Sequence, residues 1–206
     1  MSSCETTSLP VLEVEHHQIR EVLRCLLHTI IFSRALGRVQ PKEIESELVD
    51  ITYVSCGDAA VEQKVEDKIS HFSTWVEKHP SNFGQVCLSF YEVRQRAGLF
   101  SREDRVSWEE WCINLAIQDT SAHAEEQSAF NSTSGQAVRH AKLQSAMEGL
   151  MASLIQTISV KKDHIPPVVS TNTVTFPFDI SIAGANGRNW DIFQRFLSNT
   201  PTPTVL

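Results

Sequence analysis

Residues 85–94 read QVCLSFYEVR and residues 106–118 read VSWEEWCINLAIQ. How these two runs sit decides the fold. In the first, Val86, Leu88 and Phe90 hold one phase, and Cys87, Tyr91 and Val93 hold the other. Apolar residues on both phases predict a central strand covered on both sides. In the second, Trp111, Ile113, Leu115 and Ile117 alternate with Cys112, Asn114, Ala116 and Gln118, which predicts a further strand. Between them lies RQRAGLFSREDR, a small apolar group ringed by Arg94, Arg96, Arg102, Glu103, Asp104 and Arg105. Leu99 and Phe100 either fold back onto the sheet or form an apolar handle in a charged rim, the usual form of a contact point.

Working outward, PVLEVE (Pro10–Glu15) is a short strand candidate. Ile19, Val22, Leu23, Leu26, Leu27, Ile30 and Ile31 then follow helical spacing, a wide apolar stripe that ends by Gly37. Arg38–Gln40 and Leu48–Val54 read as a hairpin, the second strand rich in β-branched residues. Asp58 is an N-cap for a second helix carrying Val61, Val65, Ile69, Phe72, Trp75 and Val76, which stops at His79 before Pro80. A third helix spans 136–160, with Leu143, Met147, Leu150, Met151, Leu154, Ile155 and Ile158 on one side. Val174, Phe176, Phe178, Ile180 and Ile182 alternate as a late strand, where Pro177 argues for an edge or bulge. Asn189–Leu197 reads as a short terminal strand or helix.

These elements form one α+β domain, three main helices packed on a mostly antiparallel sheet. Residues 1–8 are expected to be flexible, 9–198 to form the domain with 119–135 as a mobile connector, and 199–206 to be a disordered tail. The 206 residues suffice for one sizeable core.

A net charge of −7 argues against nucleic acid, whose phosphates demand clustered Lys and Arg. No run of about 18 apolar residues occurs, so no transmembrane segment is expected. The first residues lack a basic stretch followed by an apolar one, so no secretory signal is expected. The 5 cysteines are scattered without C-x-x-C and read as reduced thiols, consistent with a cytoplasmic location.

No catalytic pattern emerges, and no enzyme activity, metal or cofactor is expected. H-E-x-x-H is missing, and His16 and His17 diverge on a helix. His28, beside the apolar stripe, reads as a hydrogen-bonded histidine rather than a ligand. No G-x-S-x-G elbow exists, and GANG (184–187) lacks a Walker lysine. Cys56 in SCGD precedes a helix start, which can activate a thiol, but a turn residue is the simpler reading. Glu109 and Glu110 face opposite ways in an extended segment and read as solvent-facing.

Five pieces in order carry a resemblance: Leu12–Val14, Leu27–Arg34 (LHTIIFSR), Asp50–Val54 (DITYV), Gly84–Tyr91 (GQVCLSFY) and Val106–Trp111 (VSWEEW). The chain resembles the autophagy-related protein 101 family of HORMA-domain proteins. The resemblance implies a HORMA domain and a non-enzymatic adaptor of the autophagy-initiation kinase complex. Such an adaptor forms a heterodimer with the HORMA domain of autophagy-related protein 13, stabilises it, and helps recruit later factors to the phagophore assembly site. The family often carries an exposed Trp-Pro-Phe finger at the AGLF loop. Gly98, Leu99 and Phe100 stand in its place as partner-binding residues, without the tryptophan and the proline. The alternative is a checkpoint-type HORMA protein that closes a C-terminal safety belt around a peptide. Apolar area left exposed at Leu143, Met147, Leu150 and Leu154 would signal a constitutive partner.

Overall fold

The stripe on the first helix is the centre of the core. Ile19, Val22, Leu23, Leu26, Leu27, Ile30 and Ile31 are all fully buried on α1 (Ile19–Ser33), which touches both other long helices and the small second sheet. In this computed structural model the described residues are 4–37, 39–79, 83–96, 102–118, 133–168 and 173–183. They form β1 (Glu5–Glu15), α1, β2 (Lys42–Glu45), β3 (Thr52–Ser55), α2 (Ala59–Lys78), β4 (Phe83–Arg96), β5 (Arg102–Gln118), α3 (Thr133–Val160) and β6 (Phe178–Ala183). The α+β class with three helices on a mostly antiparallel sheet is as expected.

The main sheet has the order β1-β5-β4-β6, and β2-β3 form a separate antiparallel pair. β4 lies antiparallel to both β5 and β6, whereas β1 lies parallel to β5. Asp58 caps α2 as its sequence suggests, accepting from the Val61 amide at 2.9 Å. That helix buries Val61, Val65, Ile69, Phe72 and Val76, and ends at Lys78.

Several boundaries move. β1 begins at Glu5, so residues 5–8, expected to be flexible, enter the sheet opposite 109–112. Pro10 lacks an amide donor, and the β1–β5 register shifts between Ser8 and Val11, where that loss is tolerated. Asn114 mends the gap, its Nδ2 donating to the Leu9 carbonyl at 2.7 Å and to Ser8 Oγ at 2.9 Å. The first hairpin strand is Lys42–Glu45 rather than 38–40. α1 stops at Ser33, before Gly37, which adopts a φ of 65° in the following turn. α3 begins at Thr133, inside the expected connector. The late strand starts at Phe178; before it, Thr175 makes only an isolated bridge to Ala35. The rest of the connector, residues 189–197 and the tail 199–206 lie outside the described residues.

β4 is a central strand, but its two faces differ. Val86, Leu88 and Phe90 enter the helix-covered core. The opposite face carries Gln85, Cys87 and Ser89, hydrogen-bonded to Asn114, Cys112 and Glu110 of β5.

Candidate functional site

The β4–β5 hairpin outruns its neighbours. β6 pairs with β4 only as far as Phe90, and β1 reaches β5 only from Glu109 onward. The Tyr91 amide still donates to the Pro177 carbonyl at 3.0 Å. From Glu92↔Val106 to Arg96↔Arg102 the two strands pair only with each other among the described residues. At about 3.4 Å per residue this is an arm of roughly 15 Å. Arg94 and Arg105 on it are exposed, Val93 is 45% exposed, and the Arg105 guanidinium lies over the Tyr91 ring at 5.0 Å. The arm's connection is 97–101; Gly98, Leu99 and Phe100 therefore lie outside the described residues.

An isolated two-stranded ribbon is marginally stable in water, so the arm needs a firm base. The base is built at a bulge. Phe90 pairs with Glu109 but Tyr91 pairs with Ser107, leaving Trp108 as the extra residue. A bulge breaks strict alternation, so the neighbours Trp108 and Glu109 are both buried. Trp108 packs against Phe90 at 5.6 Å, Phe176 at 5.1 Å and His164 at 5.8 Å, and Phe90 meets Phe178 at 6.2 Å.

Glu109 is held by Arg34, the residue that ends α1. The guanidinium donates through Nε at 2.8 Å and Nη2 at 2.7 Å, both side chains being 2% exposed. His164 Nε2 lies 3.1 Å from the same carboxylate, and Thr175 Oγ1 donates to the Arg34 carbonyl at 3.1 Å. The Leu36 amide donates to the Val174 carbonyl at 2.7 Å. The end of α1, the segment after α3 and the approach to β6 thus converge on the root of the arm. Glu109 is not solvent-facing as expected: the bulge turns it inward, where the two hydrogen bonds from the distant Arg34 and the nearby His164 offset the cost of burying its charge. Glu110 does face the other way, accepting from Ser89 Oγ at 2.9 Å.

Other candidates resolve as structure. His28 is buried and stacked on Tyr53 at 6.0 Å, but its Nδ1 finds no hydrogen-bond partner among the described residues, against the expectation of a satisfied histidine. Burial lowers its pKa, and the nearby Arg24 adds to this while Glu62 opposes it. Cys56 is buried, and burial followed by the charge of Asp58 pushes its thiol up to about 11, the reverse of an activated nucleophile.

Leu143, Met147, Leu150 and Leu154 are buried, so that face of α3 is not the exposed surface that would signal a partner. α3 instead exposes Val138 and Val160, together with Ile155, which was expected on the same side as the buried row but lies at its margin and faces out. A groove of about 390 Å³ between β1 and α3 is spanned by Lys142–Glu13 and Arg139–Glu15 at 2.6 and 2.9 Å. These ion pairs seat α3 against β1.

Among the described residues, Cys87, Glu110 and Cys112 bring three donor atoms within 4.8 Å of one another. Their two sulfurs are 2.8 Å apart. Two thiolates sharing a tetrahedral zinc, with Zn–S of about 2.3 Å, stand roughly 3.8 Å apart, so the pair is too close for that geometry.

No helix among the described residues is long and apolar enough to cross a membrane. The family described as Autophagy-related protein 101 matches residues 11–172. The chain is 40% identical to Autophagy-related protein 101 of Arabidopsis thaliana, over 95% of each chain. It is 25% identical to the Xenopus laevis protein of that name over 61% of this chain and 63% of the relative. With the human protein it shares 22% identity over the same fractions. The chain belongs to the autophagy-related protein 101 family.

Proposed function

We propose that this protein is a non-enzymatic HORMA-type adaptor of the autophagy-initiation kinase complex. It acts in the cytoplasm, pairs with the HORMA domain of autophagy-related protein 13, and helps bring later factors to the phagophore assembly site. Family membership, over residues 11–172, carries this reading. The β4–β5 arm supports its recruitment part, because among the described residues its outer half pairs with no other strand and its two strands are joined through residues 97–101. The thiol of Cys56, pushed upward rather than down, argues against nucleophilic catalysis.

The test is co-purification with the HORMA domain of autophagy-related protein 13 from the same organism, sized by light scattering. A stoichiometric 1:1 complex is expected. A monomer that ignores that partner, and whose C-terminal segment rearranges around a peptide, would favour the safety-belt reading instead.

A further inference from the structure

Cys87 and Cys112 stand directly opposite each other on β4 and β5. Their Sγ atoms are 2.8 Å apart, only about 0.8 Å beyond the ~2.05 Å of a disulfide bond. Directly opposed residues of antiparallel strands have Cα atoms about 4.5 or 5.5 Å apart, and both spacings lie within the range a disulfide spans. Closing the bond therefore asks for side-chain movement and no change of register.

The surroundings differ from those of inert core thiols. Both cysteines sit on the polar face of the sheet. Cys87 Sγ lies 3.5 Å from Gln85 Oε1, and Cys112 Sγ lies 3.8 Å from Glu110 Oε1. Cys25 and Cys56, by contrast, belong to the apolar core on the side of the molecule where the helices pack. The two members of the pair also differ. Cys112 is 8% exposed and Cys87 is 2% exposed. The hydrogen bond to Cys112, burial and the charge of Glu110 together hold Cys87 in its protonated form.

We propose that Cys87 and Cys112 are a covalent modification site, closing to a cross-strand disulfide when hydrogen peroxide reaches Cys112. The Cys112 sulfur attacks the peroxide and releases its thiol proton. An S–O bond forms, the O–O bond breaks, and the departing hydroxide takes the proton, leaving a sulfenic acid and water. Cys87 then attacks the Cys112 sulfur. The S–S bond forms, the S–O bond breaks, and hydroxide leaves with the Cys87 proton as a second water. Two thiols lose two electrons in all, and one peroxide gains them. The narrow access limits the oxidant to a small molecule.

The test treats the full chain with hydrogen peroxide, unfolds and alkylates it, and maps the peptides by mass spectrometry. A linked Cys87–Cys112 peptide pair, lighter by two hydrogens and restored by dithiothreitol, is expected, with Cys25 and Cys56 still alkylated. The oxidised protein should melt roughly 5 °C or more higher, because the cross-link restricts the unfolded chain. In Cys87→Ser, Cys112 should be found over-oxidised and unlinked. The site is overturned if both thiols remain alkylatable after the half-buried Cys4 has been oxidised. It is also overturned if the pair is protected by a retained zinc ion that a chelator removes. The peptide map of the unmodified sequence decides the matter even if Cys87→Ser fails to fold.

Discussion

Arg34 and Glu109 are separated by 75 positions in sequence and meet through two hydrogen bonds of 2.7 and 2.8 Å with almost no exposure to water. One ends the central helix and the other sits at the bulge from which the β4–β5 arm departs. Their pairing ties the arm's root to the core.

Breaking that pair from one side leaves a buried charge with no adequate partner. Arg34→Ala should lower the unfolding free energy by about 3–5 kcal/mol in urea titrations. The double change Arg34→Met with Glu109→Leu should cost much less, because no charge is then stranded. Equal losses for the single and double variants would remove the pair from its proposed role as anchor.

The connection between the arm's two strands is tested by Phe100→Ala. Binding to the autophagy-related protein 13 HORMA domain should be unchanged, and recruitment of later factors should weaken. Burial of one such side chain in a partner is worth about 1.5–3 kcal/mol, or roughly a 10- to 150-fold loss of affinity. A variant that no longer folds would make Phe100 a core residue, and the handle reading would fall.

His28 predicts a pH dependence with a definite sign. Burial favours its neutral form and lowers the pKa from 6.5, so the unfolded chain binds more protons just below that value. Its contribution to stability is therefore present above pH 6.5 and is lost as the pH falls through the lower, folded value. His28→Phe keeps the stacking on Tyr53 and should flatten the slope below pH 6.5 in thermal melts. Glu66, held below its usual 4.5 chiefly by its hydrogen bond with Arg24, acts in a separate window. Its contribution is present above pH 4.5 and disappears under more acidic conditions. An unchanged slope between 6.5 and 4.5 in His28→Phe would exclude this histidine as the source.

Gly84 marks a close approach between β4 and α2. A Cβ there would lie 2.5 Å from the ring of Phe72, which is fully buried and cannot swing away. Gly84→Ala should cost about 1–3 kcal/mol through overpacking, read by the same urea titration. The further change Phe72→Leu should recover part of the loss; no recovery would place the clash elsewhere.

The helices were legible in sequence because each buries one stripe at helical spacing. The seven apolar positions of α1 and five of the six expected on α2, with Asp58 at its N-cap, are buried where that spacing puts them, and the sixth, Trp75, is partly buried. Local pattern also identified the two long strands, since Val86, Leu88 and Phe90 need the same face whatever they pair with. What local pattern could not supply was pairing direction, bulge position and which polar groups meet. β1 lies parallel to β5 because the topology brings them side by side, and nothing within ETTSLPVLEVE specifies that. Glu109 looked solvent-facing because strict alternation was assumed, and the extra residue at Trp108 breaks it. Its burial requires Arg34, which only the folded chain delivers.

Sequence by itself thus determined the apolar faces, the helix start at Asp58 and the family, all encoded by residues close together in the chain. Tertiary structure decided the arm, its buried Arg34–Glu109 anchor and the facing thiols of Cys87 and Cys112. Each of those depends on distances between residues from different elements, and such distances exist only once the sheet has closed its register.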